Sequence, residues 1–263
     1  HDGAMPALRP ETTAAVAAVR EALMLAARGT GAVHPKEGRD VVTDADVAVE
    51  DHLRQRLTGV AGWSVVGEER GGDVPQNAPY WIVDPICGTR NFASGIPLFA
   101  VNVALVEEGS VAISVVGDGA TGDVVVAERG NRAWRVDEAG LGPLSTSSSS
   151  LIVDFGAWPR SGPARERGAR VLAAAIRADR WDVRCLSTTL ALVYVAAGQI
   201  AGCVLLASLG LVHVAAGSLL VAEAGGFVTD LAGEPWILDS SSLVASSDER
   251  FHEDLLDLVH AAA

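Results

Sequence analysis

Trp81-Ile-Val-Asp-Pro-Ile-Cys-Gly-Thr-Arg-Asn-Phe92 decides the reading of this chain. The apolar run entering it, Tyr80-Trp-Ile-Val83, predicts a short buried strand. Asp84 ends that strand, Pro85 restricts the backbone after it, and Gly88-Thr89 reads as a tight turn. Glu68 stands in the same relation to a second short strand, Ser64-Val-Val-Gly67. Carboxylates delivered at strand ends present oxygen ligands to a hard cation such as Mg²⁺. A lone acid at such a place is more often a solvated loop residue, so the weight rests on the Asp-Pro and Gly-Thr pairs around it.

The rest of the chain sets bounds. Its 263 residues suffice for one large domain or two closely joined lobes, and 49% hydrophobic with 20% charged residues is the balance of a packed globular protein. A net charge of −13 argues against nucleic acid and anionic membrane surfaces as partners, because phosphate backbones are held mainly by Lys and Arg. Cys87, Cys185 and Cys203 are too few and too irregular for a disulfide framework, which suits a reducing cytoplasm. No apolar run reaches the length of a membrane span.

Periodicity predicts an amphipathic helix over 11–28, ended by Gly29 and Gly31, and a second helix capped by Thr43 and running to Leu57. Alternating runs at 98–106, 111–116, 123–128 and 132–136 predict an antiparallel meander. Residues 141–150 read as a Gly/Pro/Ser linker. Beyond it, strands at 151–155, 182–186, 202–206 and 243–245 alternate with helices at 164–178, 187–197, 213–224 and 249–260, the pattern of a sheet with covering helices. Cys185 and Cys203 read as buried fillers, and His34, His52, His252 and His260 as surface or helix-end residues.

The Trp81–Phe92 segment closely resembles the metal-site signature of the inositol monophosphatase family, W-x-V-D-P-I-D-G-T-x-N-F, and departs from its fixed letters only at Cys87. A second family signature, W-D-x-A-A-G, appears as Val212-His-Val-Ala-Ala-Gly217, with His213 in place of an aspartate. The resemblance runs from Asp40–Asp46 to Gly225-Gly226. It implies an α+β fold, a layered α-β-α-β-α sandwich with an antiparallel N-terminal sheet lobe (5–145) and a mixed C-terminal α/β lobe (146–263), the site lying in the cleft between them. A homodimer is expected, as for its relatives. The resemblance also assigns roles. Glu68, Asp84 and the Ile86 carbonyl would hold one Mg²⁺, and Asp84 would bridge to a second ion held from positions 87 and 213. Asp46 and Thr89 would orient the attacking water, and the N–H groups of Gly88 and Thr89 would bind phosphate.

A thiol and an imidazole are poor ligands for Mg²⁺. The sequence therefore predicts that Cys87 and His213 converge on one former ion position and that ordinary two-metal chemistry is lost. The leading expectation is a Cys/His-dependent enzyme carrying out acyl transfer, hydrolysis or cyclisation on a non-inositol small molecule, in a setting such as bacterial specialised metabolism. Cys87 would be the nucleophile or the acid, a thiolate being favoured by a helix N-terminus. His213 would be the base, and Asp84 and Asp46 would orient the imidazole. Gly88, Thr89 and Ser187 would bind substrate or an oxyanion. That expectation requires no metal, leaves Mg²⁺ at a residual single site built on Glu68, Asp84 and Ile86, and gives Zn²⁺ at Asp84, Cys87 and His213 less weight. Two alternatives stand beside it: a residual Mg²⁺-dependent phosphomonoesterase acting on a small phosphorylated metabolite, and a non-catalytic pseudophosphatase that binds a ligand.

Overall fold

The computed structural model describes residues 7–36, 40–138, 140–156, 161–207 and 210–262. Helix α1 (Pro10–Ala26) opens with proline, whose missing N–H is no loss in the first turn, and buries Ala15, Val16, Val19, Ala22 and Leu23 along one stripe. A small ribbon follows, β1 (Val33–Pro35) antiparallel to β2 (Val41–Thr43). Thr43 then caps α2 (Asp44–Ala61). Its side chain accepts from the Asp46 N–H while the Asp46 carboxylate accepts from the Thr43 N–H, a reciprocal capping box.

Strand β3 (Ser64–Gly67) runs parallel to β4 (Tyr80–Cys87). After the short helix α3 (Thr89–Ala93), each new strand lies antiparallel to its predecessor: β5 (Ala100–Glu107), β6 (Ser110–Asp118), β7 (Val124–Glu128), β8 (Ala133–Asp137) and β9 (Gly140–Pro143). The result is a seven-stranded sheet in the order β3-β4-β5-β6-β7-β8-β9. The remaining elements, in chain order, are β10 (Ile152–Gly156), α4 (Gly162–Ala178), β11 (Asp182–Arg184), α5 (Leu190–Ala196), β12 (Gly202–Leu205), α6 (Leu211–Glu223), β13 (Phe227–Thr229), β14 (Leu243–Ser246) and α7 (Glu249–Ala261). Their five strands form a mixed sheet, β11-β10-β12-β14-β13.

Side-chain alternation explains the stacking. On β4, Trp81 and Val83 join a cluster with Val16, Val19, Leu53 and Leu57 of α1 and α2. Tyr80 and Ile82, pointing the other way, join Leu190, Leu192, Leu219 and Leu220 of α5 and α6. That second cluster continues through Cys203, Leu205, Leu243 and Ala245 of the five-stranded sheet. The opposite face of that sheet, Val153, Phe155, Val204 and Val244, packs on Val171 of α4 and on Leu255 and Val259 of α7. Five layers follow, helix–sheet–helix–sheet–helix, the sandwich expected from the sequence.

Several local expectations are corrected. The stretch expected to be linker contributes β9 at its start, an edge strand of Gly-Leu-Gly-Pro composition that carries no β signature. Strand β13 was not foreseen, and α5 begins at Leu190 rather than residue 187, because Ser187 adopts φ 57° and cannot continue a right-handed helix. The β3–β4 pair is parallel, so the N-terminal sheet is not antiparallel throughout as the resemblance implied. His252 is buried, bridging Thr229 at 2.8 Å and Ser246 at 2.9 Å, and Cys185 is exposed, whereas Cys203 is buried as expected. Residues 37–39, between β1 and β2, and residues 208–209, before α6, lie outside the described residues. Among the described residues no helix is long and apolar enough to cross a membrane.

Asp154 on β10 is a buried acid held by the Leu186 N–H at 2.7 Å, with the Cys203 sulfur 3.8 Å away. Burial pushes its carboxyl up to about 6 against the pull of the Leu186 hydrogen bond. The folded state therefore keeps the proton longer than the unfolded chain, whose carboxyl titrates near about 4. Stability from this group is complete below about pH 4 and falls as pH rises toward about 6. Asp154→Asn is expected to unfold about 1–3 kcal/mol harder than the parent at pH 7.5, with no gain at pH 4, in urea titrations at both values.

Candidate functional site

The pairing of β4 with β5 slips by one residue between Asp84 and Cys87, so a β-bulge spans Pro85-Ile86. Proline supplies no N–H to a ladder, and a bulge there bends the strand and re-aims its side chains and carbonyls. Asp84, Ile86 and Cys87 are all buried at this bend. Gly88 follows with φ 106°, and a Cβ there would lie 2.9 Å from the Leu98 carbonyl oxygen and 3.2 Å from Thr188. Only glycine makes this turn without strain.

His213 lies in the first turn of α6, which starts after Gly210. Its Nδ1 is 2.6 Å from Asp84 Oδ2. Ligand atoms of Asp84, Cys87 and His213 all lie within 4.8 Å of one another. The expected convergence of residues 87 and 213 is thus present. Burial opposes charge on the imidazole, but the Asp84 carboxylate beside it, with hydrogen bonds to Asp84 and Cys87, holds His213 well above its usual range. It is an imidazolium, with Asp84 as its counter-ion.

Cys87 behaves differently from the expectation. Burial, and then the charge of Asp84, push its thiol up, and the hydrogen bonds from His213 and the Thr189 N–H only partly oppose this. Thr189 N–H reaches the sulfur at 3.3 Å, and the Thr188 hydroxyl donates to the Cys87 carbonyl at 2.9 Å. Asn102 on β5 donates to the Thr189 hydroxyl at 2.7 Å and fixes that segment. Helix α3, of five residues, does not offset the desolvation of a thiolate. A protonated, buried thiol beside an existing imidazolium is neither an activated nucleophile nor next to a free base.

The other half of the site is assembled from α2 and the turn after β3. Asp46 is fully buried; one oxygen belongs to the capping box, accepting the Thr43 N–H at 2.8 Å, and the other accepts the Thr89 hydroxyl at 3.1 Å. Burial raises its carboxyl despite these bonds. The same Thr89 hydroxyl lies 3.0 Å from the Ile86 carbonyl oxygen. Glu68 follows β3 directly. Burial and the charge of Asp84 raise its carboxyl to about 7, while His213 and Lys36 pull it down. Lys36 bridges Glu68 at 3.2 Å and Glu69 at 2.5 Å. Asp46 holds Thr89 rather than the imidazole; that task falls to Asp84 alone. Ser187 is exposed in its left-handed turn, next to the Thr188 and Thr189 that reach Cys87.

Sequence reasoning missed Lys36, Asn102, Thr188 and Thr189. None lies in a signature; only the tertiary path of β5 and of the turn before α5 brings them in. It also missed Glu50 of α2, fully buried, whose carboxylate accepts from the N–H groups of Glu69 at 2.6 Å and Arg70 at 2.9 Å and from Arg54 Nε at 2.9 Å. Glu50 packs directly on Gly67, where a side chain would collide with it, and so fixes the turn that presents Glu68.

Comparison with known proteins addresses the chemistry. The sequence model of the inositol monophosphatase family matches residues 7–263. An inositol-1-monophosphatase of Mesorhizobium japonicum is 36% identical over 215 residues, 80% of this chain and 79% of that protein. A histidinol-phosphatase of Mycobacterium tuberculosis is 36% identical over 201 residues, 73% and 75% of the two chains. Among solved structures, the extragenic suppressor protein suhB from Bartonella henselae superposes with a TM-score of 0.86 at 28% identity, covering 95% of this chain and 98% of that one. Relatives named as phosphatases overturn the expectation of a Cys/His enzyme for acyl transfer, hydrolysis or cyclisation, and the protonated Cys87 gives the physical reason. A transferase, a catalytic cysteine and specialised metabolism go with it. The expectation that no metal is required finds no support either, since the family is Mg²⁺-dependent. By its matched length, its relatives and its fold, this chain belongs to the inositol monophosphatase family.

Proposed function

We propose that this protein is a phosphomonoesterase acting on a small phosphorylated metabolite, dependent on a divalent cation. The observation that carries this is the retained set Glu68, Asp84, Ile86 carbonyl and Asp46–Thr89, brought together by β3, β4 and α2. Among the described residues Asp84 Oδ1 is buried without a hydrogen-bond partner, and Glu68 is raised to about 7 by burial and by Asp84. Oxygen donors held in this way fit a hard cation: Glu68, Asp84 and the Ile86 carbonyl would hold Mg²⁺. At the adjacent position Cys87 and His213 do not fit Mg²⁺. Such a cation supplies charge neutralisation of the phosphate and a more acidic water.

The chain's own groups do the remaining work. With its proton turned toward Asp46, the Thr89 oxygen presents lone pairs to an incoming water and orients it. Asp46, its carboxyl raised by burial, is suited to take up the proton passed along that hydrogen bond. The N–H groups of Gly88 and Thr89, at the turn that only glycine fits, face the phosphate oxygens in this reading. The His213 imidazolium adds positive charge near the ester. The same reading places the site in a cleft between two lobes and the protein in a homodimer.

The test is inorganic phosphate release from a panel of monoesters, inositol 1-phosphate and histidinol phosphate among them, with Mg²⁺ or with chelator. Mg²⁺-dependent turnover of at least one ester is expected. Thr89→Ala is expected to lower kcat by about 10²–10³, the scale of one proton-transfer group, while Tm falls only by the few degrees that loss of the hydrogen bond to buried Asp46 costs. No release from any ester, or full turnover by Thr89→Ala, would sink the proposal.

A further inference from the structure

We propose that Asp84, Cys87 and His213 form a binding site for one thiophilic first-row divalent cation of the Zn²⁺ class, beside the oxygen-lined position and distinct from it in chemistry. Three observations carry it. The donor atoms, a carboxylate oxygen, a sulfur and an imidazole nitrogen, lie within 4.8 Å of one another. A tetrahedral ion with bonds of about 2.0–2.3 Å sets its ligands about 3.5 Å apart, so side-chain rotation alone closes the set around an ion. Second, Asp84 has no exposed surface, and among the described residues its Oδ1 has no hydrogen-bond partner, a buried carboxylate oxygen left with nothing to receive it. Third, the sulfur already accepts the Thr189 N–H at 3.3 Å, and Asn102 holds Thr189 in place; an amide directed at sulfur stabilises a metal-bound thiolate and fixes its orientation.

The composition of this set decides which ion it takes. Mg²⁺ demands octahedral oxygen and parts reluctantly with its water, whereas one sulfur, one nitrogen and one oxygen suit Zn²⁺ or Co²⁺ and leave a fourth position open. On binding, the Cys87 thiol and the His213 imidazolium each give a proton to solvent, and the sulfur, the imidazole nitrogen and the Asp84 oxygen donate electron pairs to the cation. No redox change occurs. The site stands independently of whether the protein hydrolyses phosphate.

The experiment uses the full chain carrying Cys185→Ser, which removes the exposed thiol, after dialysis against chelator. Co²⁺ is titrated in while the near-ultraviolet and visible spectrum is recorded, and bound metal is counted by mass spectrometry. One equivalent of Co²⁺ is expected, with an intense thiolate-to-cobalt charge-transfer band and tetrahedral ligand-field bands. Stoichiometric Zn²⁺ should abolish these bands, and a thousandfold excess of Mg²⁺ should leave them. Cys87→Ser is expected to lose the charge-transfer band while circular dichroism reports an intact fold. Should that variant fail to fold, His213→Asn provides the second reading: the sulfur band shifts and affinity falls at least tenfold. A spectrum of hydrated octahedral cobalt, a band that survives Cys87→Ser, or displacement of Co²⁺ by Mg²⁺ overturns the proposal.

Discussion

Replacing Cys87 and His213 together by aspartate is expected to raise Mg²⁺-dependent phosphomonoester hydrolysis by roughly a hundredfold, the scale of one preorganised electrostatic contact in a transition state. The present pair places an imidazolium 2.6 Å from Asp84 and a protonated thiol beside it, a set with no affinity for a second hard ion. Two aspartates would return oxygen donors to both sides of Asp84, a set that would hold a second Mg²⁺ and so add charge neutralisation at the phosphate. The same change carries a stability signature. Without metal, it removes the counter-ion of the fully buried Asp84 and crowds three carboxylates, which should cost about 3–5 kcal/mol. Crowding raises the carboxyl pKa values in the folded state, so this loss deepens as pH rises through them and disappears in acid. Millimolar Mg²⁺ should recover most of it by mass action. Phosphate release and thermal melts with and without chelator measure both effects. A double variant no faster than the parent, and equally stable in chelator, would show that residues 87 and 213 do not govern the ion position.

The second large effect lies away from the reacting groups. Glu50→Ala is expected to destabilise the protein by about 3–5 kcal/mol, a fall of roughly 10 °C in Tm for a chain of this size. The buried Glu50 carboxylate receives two backbone N–H groups and Arg54, and its removal leaves all three without an acceptor. Arg54 also donates to the Val65 carbonyl at 2.8 Å and to the Gly71 carbonyl, so its charge is tied into the same turn. Glu50→Gln keeps one acceptor oxygen for Arg54 Nε and the Arg70 N–H but turns a donor toward the Glu69 N–H, and should lose less, about 2–3 kcal/mol. Because the turn carries Glu68, both variants should need more Mg²⁺ for half-maximal activity, in the same order. Calorimetry and Mg²⁺ titration of activity read these out. An Ala variant as stable as the parent would remove Glu50 from the account.

How much of this was legible beforehand varies by element. The Thr43 cap, the β3 boundaries and the amphipathic α1 follow from local chemistry, and the structure has them where residue pattern places them. β9 was not legible, because an edge strand of glycine and proline takes its pairing from β8 and not from its own propensity. The start of α5 was misread because Ser187 takes a left-handed conformation that no rule of composition assigns to serine. Cys87 and His213 are more than a hundred residues apart, and their meeting was legible only through the resemblance to family signatures. The thiol's protonation state was not legible at all. It depends on full burial and on the Asp84 charge, both products of packing, and a helix of five residues is too short to reverse them. Lys36, Thr188 and Glu50 entered through tertiary contacts: their partners lie on other elements or in turns that no local pattern ties to them.

The bulge at Pro85-Ile86 has an evolutionary consequence. It interrupts the regular ladder of β4 just before residue 87, while residue 213 sits at the outset of α6, so both positions lie at the ends of their elements. Exchanging those two side chains costs stability where no ion is bound, but the order of strands and helices rests on the clusters of residues around them. Ion preference in such a scaffold is a plug-in property: it can drift between hard and soft cations by two codon changes while every layer of the sandwich stays under its own selection.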